Sequence, residues 1–117
     1  MDNYIIVRTE HLNQHGYLFG GQMLLWIDEF CWIAAAIDFP EKKLVTRAMG
    51  DTSFSRGIPN GSILRFHTTR VKVGCTCATY SCDVYIVDDK EENKAPVFST
   101  TITFTAVGED GKKTPIK

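Results

Sequence analysis

The chain has 117 residues, 13 Lys plus Arg against 14 Asp plus Glu, and a formal net charge of −1. That length supports one domain spanning 1–117, with a core of its own but with part of a single sheet layer exposed unless a partner covers it. The near-balance of charge excludes a generally basic surface for nucleic acid or an anionic membrane, while leaving room for a local basic patch that meets a polyanionic small molecule.

The opening MDNYIIVRTE lacks the basic leader, long apolar run and small-residue cleavage site of a secretory signal, so a cytoplasmic location is expected. Residues 4–9 form a short β-branched run that predicts a strand, and EHLNQHGY reads as a loop. FGGQMLLWIDEFCWIAAAI, residues 19–37, then predicts one long helix that begins near Gly20 or Gly21 and stops before Pro40. Gln22, Asp28 and Glu29 interrupt it, and it falls short of the roughly 20 apolar residues that a bilayer demands, so it is not a membrane span.

Four further runs, 44–55, 63–73, 75–87 and 96–107, are rich in Val, Ile, Thr, Phe and Tyr and read as strands. GIPNGS, Gly74 and DDKEENK separate them, the last being a mixed-sign segment expected to form a solvated hairpin loop. In the last strand Phe98, Thr100, Ile102, Phe104 and Ala106 alternate with Val97, Ser99, Thr101, Thr103 and Thr105, giving one oily and one hydroxylated face.

The order strand, helix, four strands leaves no crossover helices for a doubly wound parallel sheet. The fold class is therefore α+β, a five-stranded antiparallel sheet wrapped around one central helix. A helix apolar nearly all round needs a second surface on its open side, which predicts at least a homodimer. Cys31, Cys75, Cys77 and Cys82 form no CxxC pair, and with His11, His15 and His67 they show no zinc-site spacing, so they are expected to be buried or half-buried structural thiols. Trp26 and Trp32 fall on different stripes of the helix and are expected in different walls of the core or interface.

Asp28 is the anomaly. Its i±3 and i±4 neighbours Leu24, Leu25, Cys31 and Trp32 are all apolar, and a carboxylate kept in such a setting costs several kcal/mol or more without partners. A structural account places it at the helix surface or on a neighbouring hydroxyl. A functional account makes it a reacting group.

The runs NQHGYLFGGQMLLWID, LVTRAMGDTSFSRGI, RVKVGCTC and TITFTAVGEDGKKTPI resemble the hotdog-fold acyl-CoA thioesterases of the brain-type acyl-CoA hydrolase group and its small bacterial relatives. The resemblance covers almost the whole chain and rests on N-x2-G-x2-FGG, the helical aspartate, a V-T strand opening and a V-G turn. It implies hydrolysis of fatty acyl-CoA, with Asp28 as general base or as a nucleophile forming a mixed anhydride. Gly21 would offer a backbone N–H, backed by the helix dipole, to the developing oxyanion. Asn13 would hold the attacking water or the thioester oxygen and face the aspartate across the dimer interface, its alternative being an Asx-turn. Thr46 would orient the water or the carboxylate. Phe19, Gly20, Arg56 and Gly74 are the implied substrate contacts, Arg56 meeting a CoA phosphate. No metal or cofactor is implied, CoA entering only with the substrate, and tetramers or hexamers built from such dimers occur in such proteins.

Two positions depart from the family pattern. The common F-x-[KR]-P-[IV] reads FSRGI, with Gly57 replacing proline, and Cys75 stands where relatives often carry arginine. Three other readings stand beside this one. Aryl-CoA thioesterases also carry two glycines and a helical aspartate, but with His-Gly-Gly in place of Phe19-Gly20-Gly21. A non-catalytic acyl-CoA-binding module has no need of a carboxylate at 28. A dehydratase would use His15 and Glu29, yet the D-x-N-P-x-H element is missing.

Overall fold

The structure, a computed structural model, describes residues 1–87 and 95–117, so the predicted loop DDKEENK lies outside the described residues. The elements are β1 (Asp2–Ile6), a 3-10 turn (Thr9–His11), α1 (Gly20–Asp38), β2 (Lys43–Met49), β3 (Ser53–Phe54), β4 (Ile63–Val73), β5 (Cys77–Ile86) and β6 (Phe98–Val107). The sheet runs β1-β4-β5-β6-β2, every pairing antiparallel, and the helix packs across β2, β4, β5 and β6. This is the expected α+β layout.

Period-2 patterning builds the sheet. In β5, Ala78, Tyr80, Cys82, Val84 and Ile86 are buried on the face that meets the helix. The predicted alternation of β6 holds through Thr103 and then breaks, because Thr105 is buried as well as Phe104 and Ala106. Facing them, α1 buries Met23, Trp26, Ile27, Phe30, Cys31, Ala34 and Ala35. Trp26 and Phe30 both set their rings against Phe66 of β4.

Two of the predicted strands differ from expectation. Residues 44–55 are not one strand: the run breaks at 50–52, and Ser53 and Phe54 return as β3, a sixth short strand paired with Ser99 and Phe98 of β6. At the break the chain lies close on β6 and only glycine fits, because a Cβ on Gly50 would collide with the Thr101 hydroxyl, while the Gly50 amide donates to the Thr101 carbonyl at 2.8 Å. The first strand ends at Ile6 because the chain turns into the 3-10 segment, where the Arg8 amide donates to His11 Nδ1 at 2.9 Å.

Asp38 ends α1 where the helix dipole disfavours a carboxylate. The Tyr80 hydroxyl donates to Asp38 Oδ2 at 2.7 Å and Arg70 lies 3.5 Å away, which offsets that cost and ties the helix end to β4 and β5. The opposite face of α1 is bare. Leu25 is 59% and Trp32 43% exposed, Ile37 is exposed too, and β2 with exposed Val45 forms an unpaired edge of the sheet. No described helix is long and apolar enough to cross a membrane.

Candidate active site

Asp28 is half-buried on this bare face, so in a single chain it is not the fully enclosed charge that its apolar neighbours suggested. The Thr46 hydroxyl donates to Asp28 Oδ1 at 2.8 Å, which ties the carboxylate to β2 through that oxygen. β2 delivers that hydroxyl: Leu44 and Thr46 point toward the helix, and a bulge at Arg47 interrupts the ladder immediately afterwards. Trp32 fixes the local spacing, its Nε1–H donating to the Leu44 carbonyl at 3.1 Å.

Asn13 lies in the loop before the helix, and here the structure realises the turn reading. Its Oδ1 accepts the amides of His15 at 2.9 Å and Tyr17 at 3.2 Å. Two amide donors aimed at one atom identify it as the oxygen, so the group left to act on a substrate is the Nδ2 donor. Asn13 can therefore hold a thioester oxygen but not accept a proton from the attacking water through Oδ1. The loop closes around it, with Asn13 N–H on the Tyr17 carbonyl at 2.7 Å and Leu18 N–H on the Ile58 carbonyl at 2.8 Å.

The helix start has no side-chain cap; the Phe19 carbonyl accepts the amides of Gln22 and Met23, and the helix supplies no acceptor to the amides of Gly20 and Gly21. The two glycines open to different clefts. Gly20 borders a cavity of about 800 Å³ with Asn13, Arg56 and the buried Leu18 and Ile58, whereas Gly21 and Phe19 border a cleft of about 380 Å³ with His11 and Leu25. Gly74 belongs to a third cleft, with Cys75 and Lys117. The predicted site residues thus fall into separate groups. Asp28 with Thr46 stands two helical turns, about 12 Å along the axis, from Gly20. The 800 Å³ cavity gathers Asn13, Gly20 and Arg56 without either of them.

His15 lines that cavity, while Glu29 is exposed on α1 and is not among its lining residues. All four cysteines are free; Cys31 and Cys82 are buried and Cys77 half-buried as expected, but Cys75 is exposed at the β4–β5 turn, which corrects the reading of it as a buried thiol. Tyr17, Phe54 and Gly57 also line the cavity and were not among the predicted site residues. The signal for them lay in FSRGI, where glycine replaces the family's proline. A Cβ at 57 would sit 2.9 Å from the Tyr17 ring, so the glycine is what lets that ring lie against the chain.

Comparison with known proteins places this geometry. No curated protein sequence matches the chain. Among solved structures, a hexameric hotdog-fold thioesterase of Campylobacter jejuni is 29% identical, with a TM-score of 0.82 over 98% of this chain and 88% of its own. An acyl-CoA hydrolase from Staphylococcus aureus, in complex with butyryl-coenzyme A, coenzyme A and coenzyme A disulfide, superposes at TM-score 0.86 with 23% identity, covering 98% of this chain and 70% of its own. A hexameric broad-specificity acyl-coenzyme A thioesterase gives 0.82 at 22% identity, over 98% of this chain and 79% of its own. The fold is the hotdog fold, as the sequence resemblance implied. The family model described as the thioesterase superfamily matches residues 15–93. With both the fold and the greater part of the sequence in agreement, the chain belongs to the thioesterase superfamily, and it is the thioester hydrolase expected from its sequence.

Proposed function

We propose that the protein is a fatty acyl-CoA thioesterase of the brain-type acyl-CoA hydrolase kind, active in the cytoplasm as a homodimer or a larger assembly of dimers and needing no resident metal or cofactor. The observation that carries the reading is the Thr46–Asp28 hydrogen bond on the bare face of α1. It holds one carboxylate oxygen of a half-buried aspartate on the face that a second copy would close.

A second copy packed on that face would bring its own Asn13 and helix start toward Asp28, joining the two groups that one chain keeps about 12 Å apart. Asp28 Oδ2 then takes a proton from water as the water oxygen bonds to the thioester carbonyl carbon. The oxyanion is met by Asn13 Nδ2–H and by the uncapped amides at the positive end of the helix, Gly20 on the Asn13 cavity and Gly21 on the cleft beside it. The intermediate collapses by breaking the C–S bond, and the proton held on Asp28 passes to the departing sulfur, giving free acid and CoA. Direct attack by Asp28 through a mixed anhydride uses the same atoms. Label in the Asp28 side chain after a single turnover in 18O-labelled water identifies the anhydride route with water attacking the aspartyl carbonyl, and trapping of the acyl-enzyme with hydroxylamine tests the anhydride whichever carbonyl the water attacks.

The hexameric state of the relatives of known structure supports an assembly larger than a dimer. The primary test is release of free thiol from fatty acyl-CoA by the purified protein with no added metal or nucleotide. Tight acyl-CoA binding without thiol release would replace this reading with the binding-module reading.

A further inference from the structure

The 800 Å³ cavity has two ring walls that no catalytic step uses. Tyr17, 47% exposed, lies against Gly57, where a Cβ would meet its Cγ and Cδ1 at 2.9 Å. Phe54, 41% exposed, approaches Gly20 with its Cε2 at 3.4 Å from a Cβ position there and rests on Phe98 at a centroid distance of 4.7 Å. Between them the cavity is floored by buried Leu18 and Ile58, and Asn13 stands at its polar side.

From this arrangement we propose that Tyr17, held on Gly57, and Phe54 are specificity-determining residues that bind the hydrocarbon part of the acyl group. The proposal rests on the thioesterase reading and names which part of the substrate this cavity takes. The chemistry of the walls decides between the two arms of an acyl-CoA. The pantetheine arm carries two amides, each of which loses free energy when desolvated without a hydrogen-bond partner, and the ring faces with Leu18 and Ile58 supply none beyond the Tyr17 hydroxyl, which leaves the polar lining residues Asn13, His15 and Arg56 to the thioester and the CoA end. A hydrocarbon loses nothing there and gains about fourfold in affinity for each methylene removed from water. Asn13 at the polar side puts the thioester oxygen at the edge of the cavity and the chain inside it.

Gly57 is the coupled element. The close atoms belong to the base of the Tyr17 ring rather than to a flexible end, and the neighbouring backbone is pinned by the Leu18–Ile58 hydrogen bond. Any Cβ at 57 must therefore turn the ring and reshape the wall.

The test is the ratio of kcat/KM for octanoyl-CoA to that for acetyl-CoA. Tyr17→Ala lowers this ratio about tenfold, the value of one or two methylenes uncovered, and Tyr17→Phe keeps it. Gly57→Ala shifts the ratio in the wild-type background and has no further effect once Tyr17 is Ala, because the two residues act through one contact. Calorimetry with non-hydrolysable S-alkyl-CoA thioethers of two and eight carbons supplies the same ratio as binding constants. Thiol release with a ratio indifferent to Tyr17→Ala, or a Gly57→Ala effect that persists without the ring, overturns the proposal and spares the thioesterase reading. Absence of turnover together with thioether binding that still tracks Tyr17 overturns that reading and leaves the acyl cavity standing. Tyr17→Leu, with its melting temperature, replaces Tyr17→Ala if the smaller side chain does not fold.

Discussion

The two faces of α1 are nearly alike in sequence and opposite in fate. Met23, Ile27, Cys31 and Ala35 have no measurable exposure, whereas Leu25 and Trp32 lie on the same helix with much of their surface open. Both stripes are apolar, so hydrophobicity alone does not say which one the sheet covers. The difference is that the open stripe contains Asp28, held by Thr46, and the covered stripe contains no charge. One face builds the fold. The other is, in the proposed reading, the face for a second copy and for chemistry.

Truncation should separate the faces most sharply. Ile27→Ala removes a fully buried side chain beneath the sheet and is expected to cost about 2–5 kcal/mol of unfolding free energy. Leu25→Ala should change the unfolding of the separated chain by about 0.5 kcal/mol or less and instead weaken self-association. Denaturant melts and light scattering across a concentration series read the two effects. Equal destabilisation by both variants at dissociating concentrations would show that the stripes are not distinct.

The next effect is catalytic. Asp28→Asn keeps size and helix but removes the proton acceptor, so turnover is expected to fall about a hundredfold or more with acyl-CoA binding retained. Glu29→Gln, on the exposed neighbour, is the control and should retain wild-type rates. If Asp28 serves only the Thr46 hydrogen bond, the same change alters the melting temperature and spares the rate per folded molecule.

How far the sequence reveals this contrast depends on whether the signal is local. Residues 63–73 read as a strand with the boundaries the structure shows, because alternation and flanking turn residues both lie within the window. The helix was equally legible from its glycines and from Pro40. The run 44–55 was misread as continuous although Gly50-Asp51 inside it is a turn signal; nothing local says that β6 passes close enough to forbid a side chain there. For the site, the motifs shared with the thioesterases implied that Thr46 orients a water or the Asp28 carboxylate, and the structure joins the two residues. They could not say that Asn13 spends its oxygen on its own loop, or that Gly57 answers Tyr17, since both facts arise from chain segments meeting in space.

A smaller effect belongs to the boundary between the faces. Trp32→Phe keeps the ring's bulk and removes the Nε1–H bond to the Leu44 carbonyl, a loss of about 1 kcal/mol, reduced where water reaches the half-open site. Because Leu44 and Thr46 share one stretch of β2, a shift of this strand should also loosen the hold on Asp28. A rate loss with KM unchanged would register that coupling, and a melting-temperature loss alone would limit Trp32 to support.

The smallest effect lies farthest from α1, at the β1 edge, and tests whether the ionic contacts there matter to the fold. His67 Nδ1 lies 2.6 Å from Asp2 Oδ1, with Arg65 at 3.8 Å, and the hydrogen bond to His67 holds the Asp2 carboxyl below its usual range. A carboxyl depressed in the native state binds its proton less readily there than in the unfolded chain. Its contribution is therefore present above the unfolded value of about 3.9 and is lost as pH falls through the lowered native value. Asp2 is substantially exposed, so solvent screening keeps the contribution small and confined to the pairing of β1 with β4. Asp2→Asn should lower the melting temperature slightly at pH 6, and the gap to wild type should close as the pH is taken down toward 3. A gap that stays constant down to that pH would mean that the pair adds no pH-dependent stability, and that β1 is held by its backbone ladder and by the packing of half-buried Ile5.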